Sequence, residues 1–140
     1  MVDQGPAFKL TARGVAVRRD KEMTLTSTEN GAPAVRNLKE MLQYQEKAVV
    51  SRMLLKNPAG NVTLFAFDGD EGLSEHTAPY DALVIAIEGR AEIPIGGVSH
   101  TMGEGDSLLL PANVPHAVNP MGGFKMLLIM IRGVGRPEDS

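Results

Sequence analysis

The run that decides the fold is Gly72 to His116, GLSEHTAPYDALVIAIEGRAEIPIGGVSHTMGEGDSLLLPANVPH. Two histidines, His76 and His116, stand near its ends. Between them DALVIAIEG (81–89) and RAEIPIGG (90–97) read as strands joined tightly at Glu88-Gly89, with Gly96-Gly97 as a second hairpin turn. Glycine is the residue that reaches positive φ in such turns without steric cost. VSHTM (98–102), the turn GEGD (103–106) and SLLLP (107–111) follow. Ala82 to Ile87, Leu108 to Leu110 and, further on, Met126 to Ile131 are apolar at every position. A strand with two apolar faces is covered on both. In a small barrel the outer face must then meet a second sheet or a second subunit, which predicts a homodimer.

Working outward, AVVSRMLLK (48–56) and VTLFAFD (62–68) form a hairpin around the turn residues NPAGN (57–61). FKMLLIMIR (124–132) is a last strand. Eight or so short strands at a spacing of roughly 8–12 residues predict an all-β sandwich or barrel. Asn37 is placed to cap a short helix, LKEMLQYQ, with Leu38, Met41 and Leu42 on one face. Residues 1–36 read as an N-terminal arm that packs on a neighbouring subunit or stays partly mobile, with a short strand at MTLT (23–26) and with Phe8, Leu10, Val15 and Val17 in need of cover. Residues 37–134 form the barrel domain and 135–140 a frayed tail.

The chain has 140 residues, enough for one domain with a sizeable core. Its net charge is −3 with no basic block, so binding to nucleic acid or an anionic membrane has little electrostatic support. There is no cysteine, which excludes disulfides, a thiol nucleophile and cysteine metal sites. MVDQGPAFKLTARG lacks the apolar core of a signal peptide and no apolar run reaches membrane-spanning length, so a cytoplasmic address is expected. No G-x-S-x-G elbow or phosphate loop is present.

The segment from Gly72 to Asn119 resembles the two motifs of the cupin superfamily. Gly89 stands at the closing Gly of the first motif. Counting back, Ala82 occupies the usual Glu position, Ala78 the second His position and His76 the first. In the second motif Gly105, Pro111 and His116 match, while Asn113 stands at a usual Gly and Pro120 at the usual Asn. The resemblance implies a cupin-type double-stranded β-helix, a jelly-roll barrel, over roughly residues 48–132. It also implies a metal site of which only His76 and His116 remain. The chain is similar to small single-domain cupins with an HTAP-aromatic-DALV segment followed by PAN-x-PH.

Regular alternation would put His76, Ala78, Ala82, Val84 and Ala86 on one inward face, where three alanines leave room. A cavity of small and apolar groups is expected, with His76, His116 and Tyr80 as ligand-binding residues. Neutral imidazoles can donate to and accept from a carbonyl or carboxylate. Two imidazoles alone hold a metal weakly, because zinc and iron sites use three or more protein ligands. A bulge between Pro79 and Ala82 would turn Asp81 inward and complete a two-His, one-carboxylate set; otherwise Asp81 caps a turn or pairs with an Arg. His100 is expected on the outer sheet face or the surface, and Glu75 on a solvated rim. Met53, Met102, Met121, Met126 and Met130 are core filler or a soft pocket lining. Asp68, Asp70 and Glu71 form a solvated loop, lacking the spaced ligands of a calcium loop.

The expected function is binding of a small molecule in a largely apolar pocket, with metal weak or absent. The alternative is a metal-dependent enzyme, an oxygenase or isomerase, holding Zn, Fe, Mn or Ni through His76, His116 and Asp81. A third possibility is a barrel filled by its own side chains that serves only dimerisation.

Overall fold

The computed structural model describes residues 7–10, 16–18 and 33–132. MTLT, Val15 and the tail lie outside these residues. The strands are β1 (Ala7–Leu10), β2 (Ala16–Arg18), β3 (Val49–Asn57), β4 (Gly60–Phe67), β5 (Leu73–His76), β6 (Asp81–Glu88), β7 (Arg90–Ile95), β8 (Val98–Gly103), β9 (Ser107–Leu110), β10 (His116–Pro120) and β11 (Phe124–Ile131). They form a seven-stranded sheet ordered β2-β1-β3-β4-β11-β6-β9 and a four-stranded sheet ordered β5-β10-β7-β8. Ladder pairing is antiparallel throughout. The predicted all-β jelly-roll barrel is what forms. Part of the N-terminal segment belongs to it, because β1 pairs with β3 of the same chain.

The doubly apolar strands are explained by two clusters, one on each side of the large sheet. Inside lie Val49, Phe67, Ala82, Val84, Ala86, Ala91, Ile93, Met102, Val118, Phe124 and Met126. Phe67 and Phe124 are fully buried with ring centroids 5.7 Å apart. Each such side chain contributes about 1.5–3 kcal/mol on burial. Outside, Leu42, Val50, Leu64 and Ala66 cluster, with Tyr44, Ile87 and Leu127 against them.

The outer cluster is covered by residues 38–44, where the expected helix shrinks to one 3₁₀ turn, Leu38–Glu40. Asn37 does cap it, accepting from the Lys39 amide at 2.9 Å. Two carbonyls that a longer helix would have used are taken by cations from the sheet. Lys125 Nζ donates to Lys39 O, and Arg52 Nη1 donates to Met41 O. Tyr44 donates its hydroxyl to Glu88, and Lys125 also sits 4.9 Å over the Tyr44 ring. The segment is thus held to the sheet as a strap, with Leu42 as its apolar anchor.

The interior is filled at one end and open at the other. Along β11 the inward residues run from Phe124 and Met126, both buried, to Leu128 and Met130, both half-exposed. The same change runs along β4 from Phe67 to Asn61, along β7 from Ala91 and Ile93 to Ile95, and along β3 from Val49 to Met53. On β6, β9 and β10 burial continues to the open end, where Ala82, Leu110 and His116 are buried. At the filled end the Glu88-Gly89 turn lets backbones meet: Gly89 has φ +81°, and a Cβ there would lie 2.0 Å from Gly123 O.

Candidate functional site at the open end of the barrel

Two loops close onto the open end. Residues 77–80 link β5 to β6, and residues 111–115 link β9 to β10. They are tied together, since Asn113 N donates to Ala78 O at 2.7 Å and Ala112 N donates to Asp81 Oδ1 at 2.9 Å. Asn113 has φ +65°, a left-handed conformation that asparagine tolerates better than most residues with a Cβ. That backbone requirement explains why its position is one where a glycine is usual.

These loops deliver His76 and His116 to neighbouring strands. The two are direct cross-strand partners, with ring centroids 4.5 Å apart and planes at 69°. Their shared face is the inner one, because Val118, two residues on from His116, lies in the core. Leu73 also packs on the core, yet it is three residues from His76, an odd step that regular alternation would place on opposite faces. A bulge reconciles them: Leu73 pairs with Val118 and His76 with His116, so three steps on β5 match two on β10. The irregularity therefore lies before His76, not between Pro79 and Ala82, and it acts on His76. A continuous strand through Ala78 does not form, since β5 ends at His76 and β6 starts at Asp81. Ala82 and Ala86 do line the inner face.

The hydrogen bonds of the imidazoles set their chemistry. His76 Nδ1 donates to Ser74 O at 2.8 Å, and His116 Nδ1 donates to Val114 O at 3.1 Å. With the proton fixed on Nδ1, each neutral ring keeps its Nε2 lone pair free. The neutral pair is thus an acceptor pair, narrower than the donor-and-acceptor role expected from residue type. His116 is 7% exposed and His76 is exposed, so one ring floors the site and the other rims it. Burial lowers the His116 pKa from its ordinary value, and a positive charge on His76 lowers it further; the Val114 carbonyl opposes both.

The remaining predicted residues are spread around the opening. Asp81 is exposed and accepts from the Ala112 amide, the turn-capping role. Tyr80 is half-buried, with the Arg132 guanidinium 5.4 Å over its ring at the end of β11. Glu75 is exposed. Asp68 accepts from the Lys47 and Asp70 amides, as a loop-closing carboxylate does. Met53, Met126 and Met130 share the inner face with buried neighbours by register, whereas Met121 is exposed. Among the described residues no group of three His, Cys, Asp or Glu side chains is placed to hold a metal ion.

His100 departs from expectation. It pairs with Ile93 on β7 and shares strand parity with the buried Met102, so it lies on the inner side, half-buried, with Nδ1 3.3 Å from Ile93 O. The two-residue step from His100 to Met102 carried that signal in the sequence. Ile95, the β7 partner of His116, supplies an apolar wall next to the imidazoles.

No helix among the described residues is long and apolar enough to cross a membrane. No curated protein matches the chain. Among solved structures, a conserved protein of unknown function from Streptococcus pyogenes is 28% identical with a TM-score of 0.70, covering 74% of this chain and 91% of that one. A cupin 2 conserved barrel domain protein from Leptotrichia buccalis is 40% identical with a TM-score of 0.67, covering 69% of this chain and 47% of that one. A cupin superfamily protein from Desulfitobacterium hafniense is 29% identical with a TM-score of 0.68, covering 72% and 94%. The family model for the cupin domain matches residues 63–132. With the paired sheets, the shared glycine and proline frame and these matches together, the chain belongs to the cupin family.

Proposed function

We propose that this cupin binds a small molecule at the open end of its barrel, with His76 and His116 as polar anchors and Ile95, Leu128 and Met130 as apolar walls. The observation that carries this reading is the imidazole pair, 4.5 Å apart on the inner face, where core filling gives way to half-exposed positions. Two Nε2 lone pairs side by side select a ligand that presents N–H or O–H donors. A carboxylate ligand requires one ring to be protonated first, and burial disfavours the charged form of His116.

The second reading is a metal-dependent cupin enzyme. Its support is the Nδ1–H···O=C geometry of both rings, the arrangement that orients imidazoles toward a metal through Nε2. The donor set meets this halfway. Two ligands are present, whereas a tight Zn, Fe, Mn or Ni site uses three or more. Asp81 accepts from the Ala112 amide. A bound ion would supply Lewis acidity; His76 and His116 would hold it.

Native mass spectrometry and metal analysis of purified parent protein, set beside His76→Ala/His116→Ala, test both readings. A retained small molecule that disappears in the variant supports the first. Stoichiometric metal that disappears favours the second. If the parent carries neither, and a fragment screen by NMR moves no imidazole resonance, both readings fail.

A further inference from the structure

Arg132 follows directly on β11 at the lip of the barrel. Met130 pairs with Ala82 and Ile131 with Asp81, so the next position across from Arg132 is Tyr80. The Arg132 amide donates to Ala59 O at 2.7 Å, which carries the β4 ladder one residue past the Ile131–Gly60 pair. Strand alternation therefore holds at Arg132, and its side chain falls on the inner side with Leu128 and Met130. There its guanidinium carbon lies 5.4 Å over the Tyr80 ring. The ring covers a face of the guanidinium and leaves its edge, where the N–H donors lie, open. No carboxylate among the described residues pairs with it. Its Nε is buried and has no hydrogen-bond partner among the described residues. A buried donor of a charged group without a partner is rare and costly. The Arg52 guanidinium, by contrast, is engaged with the strap through Met41 O.

The geometry points to an anion-binding lip: Arg132, on its Tyr80 platform, takes the carboxylate of a small hydroxy or amino acid whose far-end O–H or N–H group reaches the imidazole pair. This assignment rests on the ligand-binding reading above and adds the chemical class of the ligand. The two sides of the mouth suit different groups. Neutral His76 and His116 offer lone pairs, which accept from a donor and do not hold a carboxylate. Arg132 offers only donors, in a fork whose spacing fits two carboxylate oxygens. Tyr80 is four residues from His76, so their Cα atoms stand at most about 14 Å apart. An acid with a short apolar middle bridges that gap along Leu128 and Met130. One guanidinium matches one negative charge. The other cation on this lip, Lys56, is exposed and lies beside Asn61 two strands away, roughly 10 Å. Asp81 and Glu75 are exposed on the same rim. A dianionic phosphate, which calls for more than one close cation, fits less well than a carboxylate.

NMR titration of the full chain with matched acid–amide pairs tests the inference. The probes are para-hydroxybenzoate, which is rigid, and gamma-aminobutyrate, which is flexible, each beside its primary amide. At least one acid is expected to bind at least about tenfold more tightly than its amide, the ratio that a charge-assisted hydrogen bond supplies. In Arg132→Gln that ratio falls to within about twofold of unity. Lys56→Gln removes an equal charge two strands away and keeps the ratio within about threefold of the parent's. A loss of preference in Lys56→Gln as large as in Arg132→Gln reduces the effect to the general field of the lip and overturns the assignment. Amides that move the imidazole resonances as readily as the acids overturn it too, and leave the ligand-binding reading in place. So does an acid preference that survives Arg132→Gln. Silence from both series also overturns the inference, while the fragment screen above still decides the ligand-binding reading by itself. Should Arg132→Gln lose its fold by circular dichroism, the parent decides. Its Arg132 Nε–H resonance is expected to shift with the acid and not with the amide, and an unmoved resonance overturns the assignment.

Discussion

Two glycines with the same backbone conformation and opposite surroundings separate two costs that are usually lumped together. Gly89 has φ +81° and Gly97 φ +86°. Replacing either with alanine incurs the left-handed penalty of about 1–2 kcal/mol. At Gly97 the added Cβ meets nothing within 4 Å. At Gly89 it meets Gly123 O at 2.0 Å, Gly123 C at 3.0 Å and Phe124 Cα at 3.2 Å. A carbon normally stays about 3.3 Å from a carbonyl oxygen, so the start of β11 must retreat by about 1 Å. Phe124 sits there, fully buried against Phe67. Forcing such a shift in a packed core costs about 1–3 kcal/mol more. Gly97→Ala should therefore lose about 1–2 kcal/mol and Gly89→Ala about 2–5 kcal/mol. At about 3–5 °C per kcal/mol for a chain of this size, melting falls by about 3–10 °C and 6–25 °C respectively. Urea unfolding followed by circular dichroism, with equal m-values, measures both. Equal losses within about 0.5 kcal/mol would refute the close-approach argument and leave only the dihedral one.

Three further outcomes follow from the site and the strap. His116 has a folded-state pKa below its unfolded value, so the unfolded chain binds the proton more readily; its contribution is present above the unfolded pKa and is lost as pH falls from there toward the folded value. Melting temperature should thus drop between neutral and mildly acidic pH, and His116→Leu should flatten that part of the profile. Tyr44→Phe removes the hydroxyl bond to Glu88 that fastens the strap and should cost about 1–2 kcal/mol in urea unfolding; no loss would mean that Leu42, Arg52 and Lys125 hold the segment unaided. Asp81→Ala should cost about 1–2 kcal/mol by freeing the Ala112 amide, while changing the affinity for added Zn²⁺ less than about threefold; a larger change by calorimetric titration would make Asp81 a ligand.

Much of the fold was legible because the sequence punctuates itself. The hairpin turns at Gly89 and Gly96-Gly97 and the doubly apolar runs 82–87 and 126–131 sit where the strands turn and pack on both faces. The helix over 38–45 was not legible. Its capping residue and apolar spacing are present, but Lys125 and Arg52, more than ten residues away, compete for its carbonyls. That competition is tertiary, and local pattern cannot express it. The nearness of His76 and His116 could be expected from the motif frame alone. Their orientation could not, because it depends on a pairing irregularity in β5 that no residue type announces. His100 differs for a simpler reason: a polar residue type suggests the surface, whereas its two-residue step from Met102 places both on the inner face.

The extra residue in β5 makes the length of a four-residue run matter more than its chemistry. Deleting Ser74 or Glu75 would remove the extra residue and leave Leu73 and His76 two positions apart, so plain two-step alternation would by itself keep both on the lumen side. The rim imidazole would then face the floor imidazole without any irregularity in the strand. Grafting this edge should therefore be guided by counting, since the same four residues copied letter for letter onto a strand that pairs without the extra residue would keep the barrel and turn the rim imidazole out to solvent.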